Sequence, residues 1–450
     1  MTTSELIKKY NVAAPRYTSY PTVPYWETEA WTEEEWLISV KRSYREGGSE
    51  GISLYIHLPF CESLCTYCGC NTRITKNHTV EDPYLIAVIK EWKMYCEVLK
   101  CKPLIREIHL GGGTPTFFNP NNLEKLTLGI LNEAEVTADA EFSFEAHPAN
   151  TTLEHLVTLY NLGFRRLSLG IQDFDPKVQE IINRKQSVEQ VQQVTSQARN
   201  LGYTSINYDL IYGLPLQQLS SVENTIREVI KLMPDRISFY SYAHVPWLKP
   251  GQRRFTENDL PAADEKRALY EKGLSLLKEA GYADIGMDHF ALKTDSLYTA
   301  AKNQTLHRNF MGYTHQYTQL SIGLGVSSIS DSWYGFAQNV KQLDSYLNLI
   351  SDGKLPLFKG HILTSNDLKY RKIILHIMCR GFAELDLEDP QLLDILVRLS
   401  SLQKDRLIHL EDNRLQVTIA GQAFLRNICM AFDERLWEKQ PESQIFSTSV

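Results

Sequence analysis

Apolar and polar residues alternate along Leu54-Tyr-Ile-His-Leu58, the period of a half-buried strand. Pro59 ends the run, because it has no N–H to give to a ladder. A helix precedes this strand over residues 36–50 and ends near Gly47-Gly48. After it the pattern predicts helix 83–99, strand 105–110, helix 121–132, strand 141–145 and helix 151–161, closed by Gly163. Strand 166–170, helix 187–200 ending at Gly202, strand 204–209, helix 222–232 and strand 236–240 follow. Repeated strand–helix units read as a parallel sheet or barrel. Six units fall short of a closed eight-stranded barrel, unless the short apolar runs 282–285 and 321–325 also count as strands.

Helices are further predicted over 264–280 and 335–350. Beyond residue 361 the helical pattern dominates, at 368–379, 389–402 and 418–437, with a polar hairpin around Asp412-Asn413. The first 35 residues hold a short helix, Ser4–Lys9, then an irregular run with Pro15, Pro21, Pro24 and four tyrosines. That run reads as an arm packed on the main domain, or as a lid whose aromatic and Arg side chains clasp a planar ligand. The expected division is an N-terminal arm or lid (1–35), a strand–helix domain with additions (36–360) and a mostly helical C-terminal domain (361–450).

Composition changes this picture little. The 450 residues are 43% apolar and 22% charged, an ordinary globular balance with room for two domains. A formal net charge of -7, with no basic stripe among the 23 tyrosines, argues against a general nucleic-acid binder. No apolar run reaches the ~20 residues of a membrane span. The first ten residues carry no signal-peptide core, so a cytoplasmic location is expected.

The chemistry is concentrated just after the first strand. Cys61, Cys65 and Cys68 stand at intervals of four and three, and Cys70 comes two later. Half of the chain's eight cysteines thus fall within ten residues. Soft thiolates suit an iron–sulfur cluster, zinc or copper(I). A disulfide framework lacks an export signal, and a structural zinc site lacks a second ligand pair downstream. Gly111-Gly-Gly-Thr-Pro115 directly follows the second strand; it is either a tight turn or a close backbone approach to a ligand. Glu145 and Asp209 end strands, Gln172 follows one, and Arg184 precedes a helix. Together they offer carboxylates, an amide and a guanidinium on the face where such folds keep their sites.

Cys61-x3-Cys65-x2-Cys68 resembles the cluster motif of the radical S-adenosylmethionine (SAM) enzymes. With Cys70, and with similarity running from Pro15-Arg-Tyr-Thr-Ser-Tyr-Pro21 to Arg426-Asn-Ile-Cys-Met430, the chain is similar to the oxygen-independent coproporphyrinogen III oxidases (coproporphyrinogen dehydrogenases). The resemblance implies an α/β fold, a radical SAM three-quarter (β/α)6 TIM-like barrel. It implies one [4Fe-4S] cluster on Cys61, Cys65 and Cys68, with Cys70 not a ligand. Two SAM molecules are expected. Tyr55, Gly112, Glu145 and Ile329 match the contacts of the first. Tyr67, Gly113, Thr114, Gln172, Arg184, Asp209 and Ala243 match those of the second. The implied reaction converts two propionates of coproporphyrinogen III to vinyl groups, giving protoporphyrinogen IX, with a flavodoxin or ferredoxin as electron donor and the enzyme a monomer. No general acid or base is assigned.

Three positions depart from the family pattern: at position 67 the family often carries phenylalanine, and Tyr67 keeps the ring and adds a hydroxyl. His147 replaces an expected acidic residue, and Met311 stands where the family carries a glutamine near the second SAM. Methionine loses the amide's donor and acceptor, so weaker or altered binding of the second SAM is expected. Arg16 and Arg308 are candidate partners for the substrate's propionates, and His289 is given no role. Two rival readings remain: a related haem chaperone that shares the barrel and the three cysteines, and a plain iron–sulfur electron-transfer protein.

Overall fold

The computed structural model describes residues 3–439, 441 and 445–449. Its frame is six parallel strands: β1 (Ile52–Leu58), β2 (Leu104–Gly112), β3 (Glu135–Ala146), β4 (Phe164–Gln172), β5 (Ser205–Tyr212) and β6 (Arg236–Ser241). Helices Glu81–Leu99, Pro120–Leu131, Leu153–Asn161, Val188–Leu201, Leu219–Leu232 and Ala263–Glu279 follow them in turn, which makes six strand–helix units. Local sequence fixes the helix ends. Ser187 and Gln190 form a reciprocal cap at the start of Val188–Leu201, and Gly202 closes it at φ +101°.

The six strands are extended on both sides. β7 (Ala283–Gly286) and β8 (His289–Ala291) add antiparallel strands beyond β6. β9 (Ser321–Leu324) lies parallel to β1, and β10 (Ile329–Asp331), β11 (Gly335–Asn339) and β12 (Leu357–Ile362) continue antiparallel from it. The twelve strands run in one order from β12 to β7, an open (β/α)6 partial barrel with additions. Both short apolar runs are therefore strands, but they extend the sheet without closing it.

Strand alternation sorts the residues. Leu54, Ile56, Ile108, Leu110, Phe142, Phe144, Leu167 and Leu169 are buried in the main core beneath the helices. Tyr55, His109, Glu145, Ser168 and Asp209 occupy the opposite parity and line the cavities of the inner face. The helix predicted over 335–350 is half wrong. Residues Gly335–Asn339 form β11, buried at every position, so no alternation was there to read; the helix is Leu343–Ser351.

The C-terminal region is helical at Ser365–Arg380 and Leu392–Lys404, and Ile408–Glu411 and Arg414–Val417 form the predicted hairpin. The long helix predicted over 418–437 is broken into a 3-10 turn and the short helices Leu425–Met430 and Glu434–Glu438. Between the last two, Asp433 caps the following turn and accepts a hydrogen bond from Tyr17 at 3.0 Å. The N-terminal tyrosines join this second core: Tyr10, Tyr17 and Tyr20 are buried with Ile374, Leu399 and Phe432. No helix among the described residues is long and apolar enough to cross a membrane.

Candidate active site

The cysteine loop leaves β1 at Pro59 and is pinned at both ends. Phe60–Cys61 pairs with Arg73–Ile74, and Thr75 donates its backbone N–H to the Cys61 carbonyl at 2.9 Å. Midway, the Thr66 N–H donates to the Ile182 carbonyl at 2.9 Å, which ties the loop to the turn that carries Arg184. Cys61, Cys65 and Cys68 are free thiols, and all three line one cavity of about 420 Å³ at the C-terminal ends of β2–β5. Cys61 Sγ lies 3.3 Å from Thr114 Oγ1, and Arg184 donates to Cys65 Sγ at 3.6 Å. The Cys70 thiol, then its backbone N–H, hold the Cys68 thiol down at about 6 against burial, whereas burial pushes Cys61 up to about 11.

The glycine run forms the floor. Gly112 has φ +114°, and a Cβ there would meet the His57 ring at 2.6 Å. A Cβ on Gly113 would meet the Pro59 carbonyl carbon at 2.7 Å, within the root of the cysteine loop. The run lies against the root of the cysteine loop, with the Gly113 N–H donating to Leu58 O at 2.8 Å and the Thr114 N–H to Phe60 O at 3.0 Å.

Glu145 accepts from the Gly112 N–H at 3.1 Å and lies 3.4 Å from His109 Nε2. Burial opposes its charge, but His109 and the Gly112 N–H outweigh it and hold the carboxyl below its usual range. Asp209 faces the opposite balance. Burial, with Glu145 nearby, pushes it up to about 6 despite hydrogen bonds from Ser168 at 2.8 Å and Asn207 at 2.9 Å. Arg184 donates from Nε and Nη2 to the Gly170 carbonyl, at 3.2 and 2.5 Å. A Cβ on Gly170 would fall 2.7 Å from that guanidinium, so the glycine leaves it room.

Most of the residues singled out in the sequence meet here. Tyr67, Gly112, Gly113, Thr114, Glu145, Gln172, Arg184 and Asp209 line the cavity with the three cysteines. Tyr55 and Ile329 line an adjoining chamber of about 490 Å³ that shares Gly69, Cys70, Gly112 and Glu145 with it. Ala243 lines neither; its carbonyl accepts from Gln252, whose amide also donates to the Tyr67 carbonyl.

Among the described residues no three His, Cys, Asp or Glu side chains gather as they would round a single ion. Three soft thiols spread round a 420 Å³ cavity, with a carboxylate and a guanidinium facing it, fit a polynuclear iron–sulfur cluster and a polar organic ligand.

A sequence model of the radical SAM superfamily matches residues 55–229. The chain is 39% identical to the oxygen-independent coproporphyrinogen III oxidase of Salmonella typhimurium, over 96% of this chain and 95% of that one. It is 38% identical to the Escherichia coli enzyme of that name, over 96% and 95% of the two chains. The solved structure of coproporphyrinogen III oxidase from Escherichia coli, a radical SAM enzyme, superposes with a TM-score of 0.90 at 36% identity, covering 96% of this chain and 99% of that one. The chain belongs to the oxygen-independent coproporphyrinogen III oxidase family. Its membership of the radical SAM superfamily brings with it SAM and a [4Fe-4S] cluster, and the thiols and polar groups above fit both.

Two histidines beside the site escaped the sequence reading. His57 packs under Gly112 and lies 3.1 Å from the Tyr55 hydroxyl; His109 stacks on Tyr55 at 5.9 Å and holds Glu145. Both share the inward parity of Tyr55 and Glu145, and that parity was the available signal. His147 lines the cavity, and burial followed by repulsion from Arg184 hold it down to about 3, so it faces the site neutral. Met311 lines the 490 Å³ chamber with Tyr55, Ile329 and Cys70, and a further cavity with Glu145, Ser168 and Asp209. Arg308 is buried, with its guanidinium 4.7 Å over the Tyr313 ring, while its strand neighbours His307 and Asn309 face the chamber.

Proposed function

We propose that the protein oxidatively decarboxylates two propionate side chains of coproporphyrinogen III, giving protoporphyrinogen IX. The observation that carries this is the convergence of three free thiols, Glu145 and Arg184 on one cavity, continuous with a chamber that can seat a substrate. Each propionate loses a hydrogen atom from its β-carbon, carbon dioxide and one electron, and becomes a vinyl group. When bound, the cluster and SAM supply the 5′-deoxyadenosyl radical that takes the hydrogen atom.

In this reading Cys61, Cys65 and Cys68 ligate the cluster. Tyr55, Gly112, Glu145 and Ile329 hold one SAM. Tyr67, Gly113, Thr114, Gln172, Arg184, Asp209 and Ala243 serve a second. Gly112 and Gly113 admit the ligand close to the backbone, and the ionised Glu145 accepts from its ammonium group. Residues from β1, β9–β10 and helix Ser365–Arg380 wall the chamber against water. Arg371 of that helix faces the chamber, paired with Asp331, and is a better propionate partner than the turned-away Arg308. Leu6, Tyr10, Tyr17 and Tyr20 of the N-terminal arm brace the C-terminal core, while Arg16 reaches the rim of β6, donating to Ser241 O at 3.1 Å. A monomeric cytoplasmic enzyme reduced by flavodoxin or ferredoxin completes the proposal.

The test is anaerobic reconstitution, reduction and incubation with SAM and coproporphyrinogen III. The expected products are 5′-deoxyadenosine, methionine and a divinyl tetrapyrrole. Stable haem binding without SAM cleavage would replace this reading with the chaperone.

A further inference from the structure

A second cavity, of about 590 Å³, opens on the outer face of the barrel between helix Ala263–Glu279, the turn from β7 to β8 and the C-terminal region. Tyr212 and Ser241, the last residues of β5 and β6, face it, whereas Asp209 and Tyr240 face the thiol cavity on the other side of the sheet. The two cavities share no lining residue.

The cations that line it are Arg16, Lys266, Arg267, Lys278, Arg380 and Arg426, against the carboxylates of Asp284 and Asp288. Lys278 pairs with Asp284 and Arg16 with Asp288, each at 3.6 Å, and Arg267 pairs with Glu271 at 2.9 Å. That leaves Lys266, Arg380 and Arg426, none of them in an ion pair among the described residues. Arg426 is 6% exposed and donates to the carbonyls of Pro15, Ser447 and Thr448. Lys266 donates to the Tyr242 carbonyl at 2.8 Å. Neutral carbonyls satisfy these N–H groups, and the single nearby charge of Asp288 is shared among Arg16, Lys266, Arg426 and Arg308, so the cluster keeps an excess of positive charge that a bound anion would offset. Burial, then repulsion from Arg16, hold Lys266 down to about 8 and Arg426 to about 9 even though Asp288 opposes both shifts, as expected of cations crowded round one carboxylate.

Much of the rest of the wall is apolar or aromatic, beside the polar Ser241, Gln422 and Ser449. Tyr212 and Tyr270 pack with ring centroids 5.2 Å apart, and Ile285, Met287 and Leu425 line the cavity with them. Small inorganic anions would gain nothing from such a wall. A ligand with an apolar body and several carboxylates would satisfy both halves, and the volume is that of a cofactor-sized site.

We infer that this cavity is a second binding site, outside the barrel, for a multiply carboxylated amphiphile held by Lys266, Arg380 and Arg426 against Tyr212 and Tyr270. Taking that ligand to be a propionate-bearing tetrapyrrole rests on the function proposed above. A smaller polycarboxylate is the other source of the same chemistry.

The full-length protein is titrated with coproporphyrin III, followed by porphyrin fluorescence, with citrate as the small-polycarboxylate competitor. The double variant Lys266→Gln/Arg380→Gln is compared with wild type, and Lys266→Arg serves as the conservative control. Arg380→Gln alone, at an exposed residue, serves if the double variant fails to fold. The expected result is a class of binding weakened at least about tenfold in the double variant and retained by Lys266→Arg. Displacement of that class by citrate assigns the site to small polycarboxylates, and resistance to citrate assigns it to tetrapyrroles. Porphyrin binding that is the same in folded variants and wild type overturns the inference. Turnover of coproporphyrinogen III by the wild type is measured in parallel. Its absence beside Lys266-dependent binding refutes the proposed reaction alone, and its presence beside Lys266-independent binding refutes this cavity alone.

Discussion

The Gly112 backbone N–H donates to the Glu145 carboxylate across 3.1 Å, joining the end of β2 to the end of β3. With His109 on its other oxygen, the carboxylate is fixed before any ligand arrives and is held ionised. Replacing Glu145 by Gln keeps the shape and removes the charge. SAM affinity should fall about 10–100-fold, the worth of one hydrogen bond to a charged group, with little change in thermal stability. Equilibrium dialysis with SAM checks this; an unchanged affinity would remove Glu145 from the site.

Gly113→Ala acts through the cysteine loop. Its Cβ would press on the backbone of Pro59, which has no side-chain rotamer to yield. The variant should lose about 1–3 kcal/mol of stability and incorporate less iron on reconstitution. Denaturant unfolding and iron analysis read the two effects; wild-type values in both would show that the loop has slack.

Asp209 gives a pH dependence with a defined sign. Its carboxyl is held at about 6 in the folded chain, above its ordinary value of about 3.9. The folded state therefore binds a proton that the unfolded state releases between these values. That contribution to stability is fully present below about pH 4 and is lost as the pH rises through 6. The stability of cluster-free wild type relative to Asp209→Asn should fall between pH 4.5 and 7, by thermal unfolding. A gap that does not change with pH would contradict the assignment.

Met311 lines the chamber with Tyr55 and Ile329 and also a cavity that Glu145, Ser168 and Asp209 face, so it stands between the residues proposed for the two SAM molecules. Met311→Gln should shift SAM affinity or KM for coproporphyrinogen III severalfold and leave cluster assembly unchanged. Identical SAM stoichiometry, affinity and turnover would show the position to be neutral.

The six strands of the frame were legible because each buries one face under a helix and turns the other inward, so that parity shows in the sequence. β11 was missed because Gly335–Asn339 is buried on both faces. The break in the last predicted helix was missed because Asp433 acts through a partner, Tyr17, hundreds of residues away. Cysteine spacing and the glycine run pointed to the site because close neighbours in sequence carry them. Ala243 did not reach the cavity, since its place depends on a loop that Gln252 ties to Tyr67. His57 and His109 were hidden by chemistry that means nothing until the strands are side by side. The buried arm was equally illegible: Tyr10, Tyr17 and Tyr20 have no local periodicity, and only the C-terminal core explains them.

The proposed chemistry depends on the three thiols holding the cluster. The direct measurement is iron content and 5′-deoxyadenosine formation for the anaerobically reconstituted Cys61→Ala/Cys65→Ala/Cys68→Ala protein, beside wild type. The expected result is a folded chain with almost no bound iron and no SAM cleavage. A triple variant that keeps its iron and still cleaves SAM would contradict it.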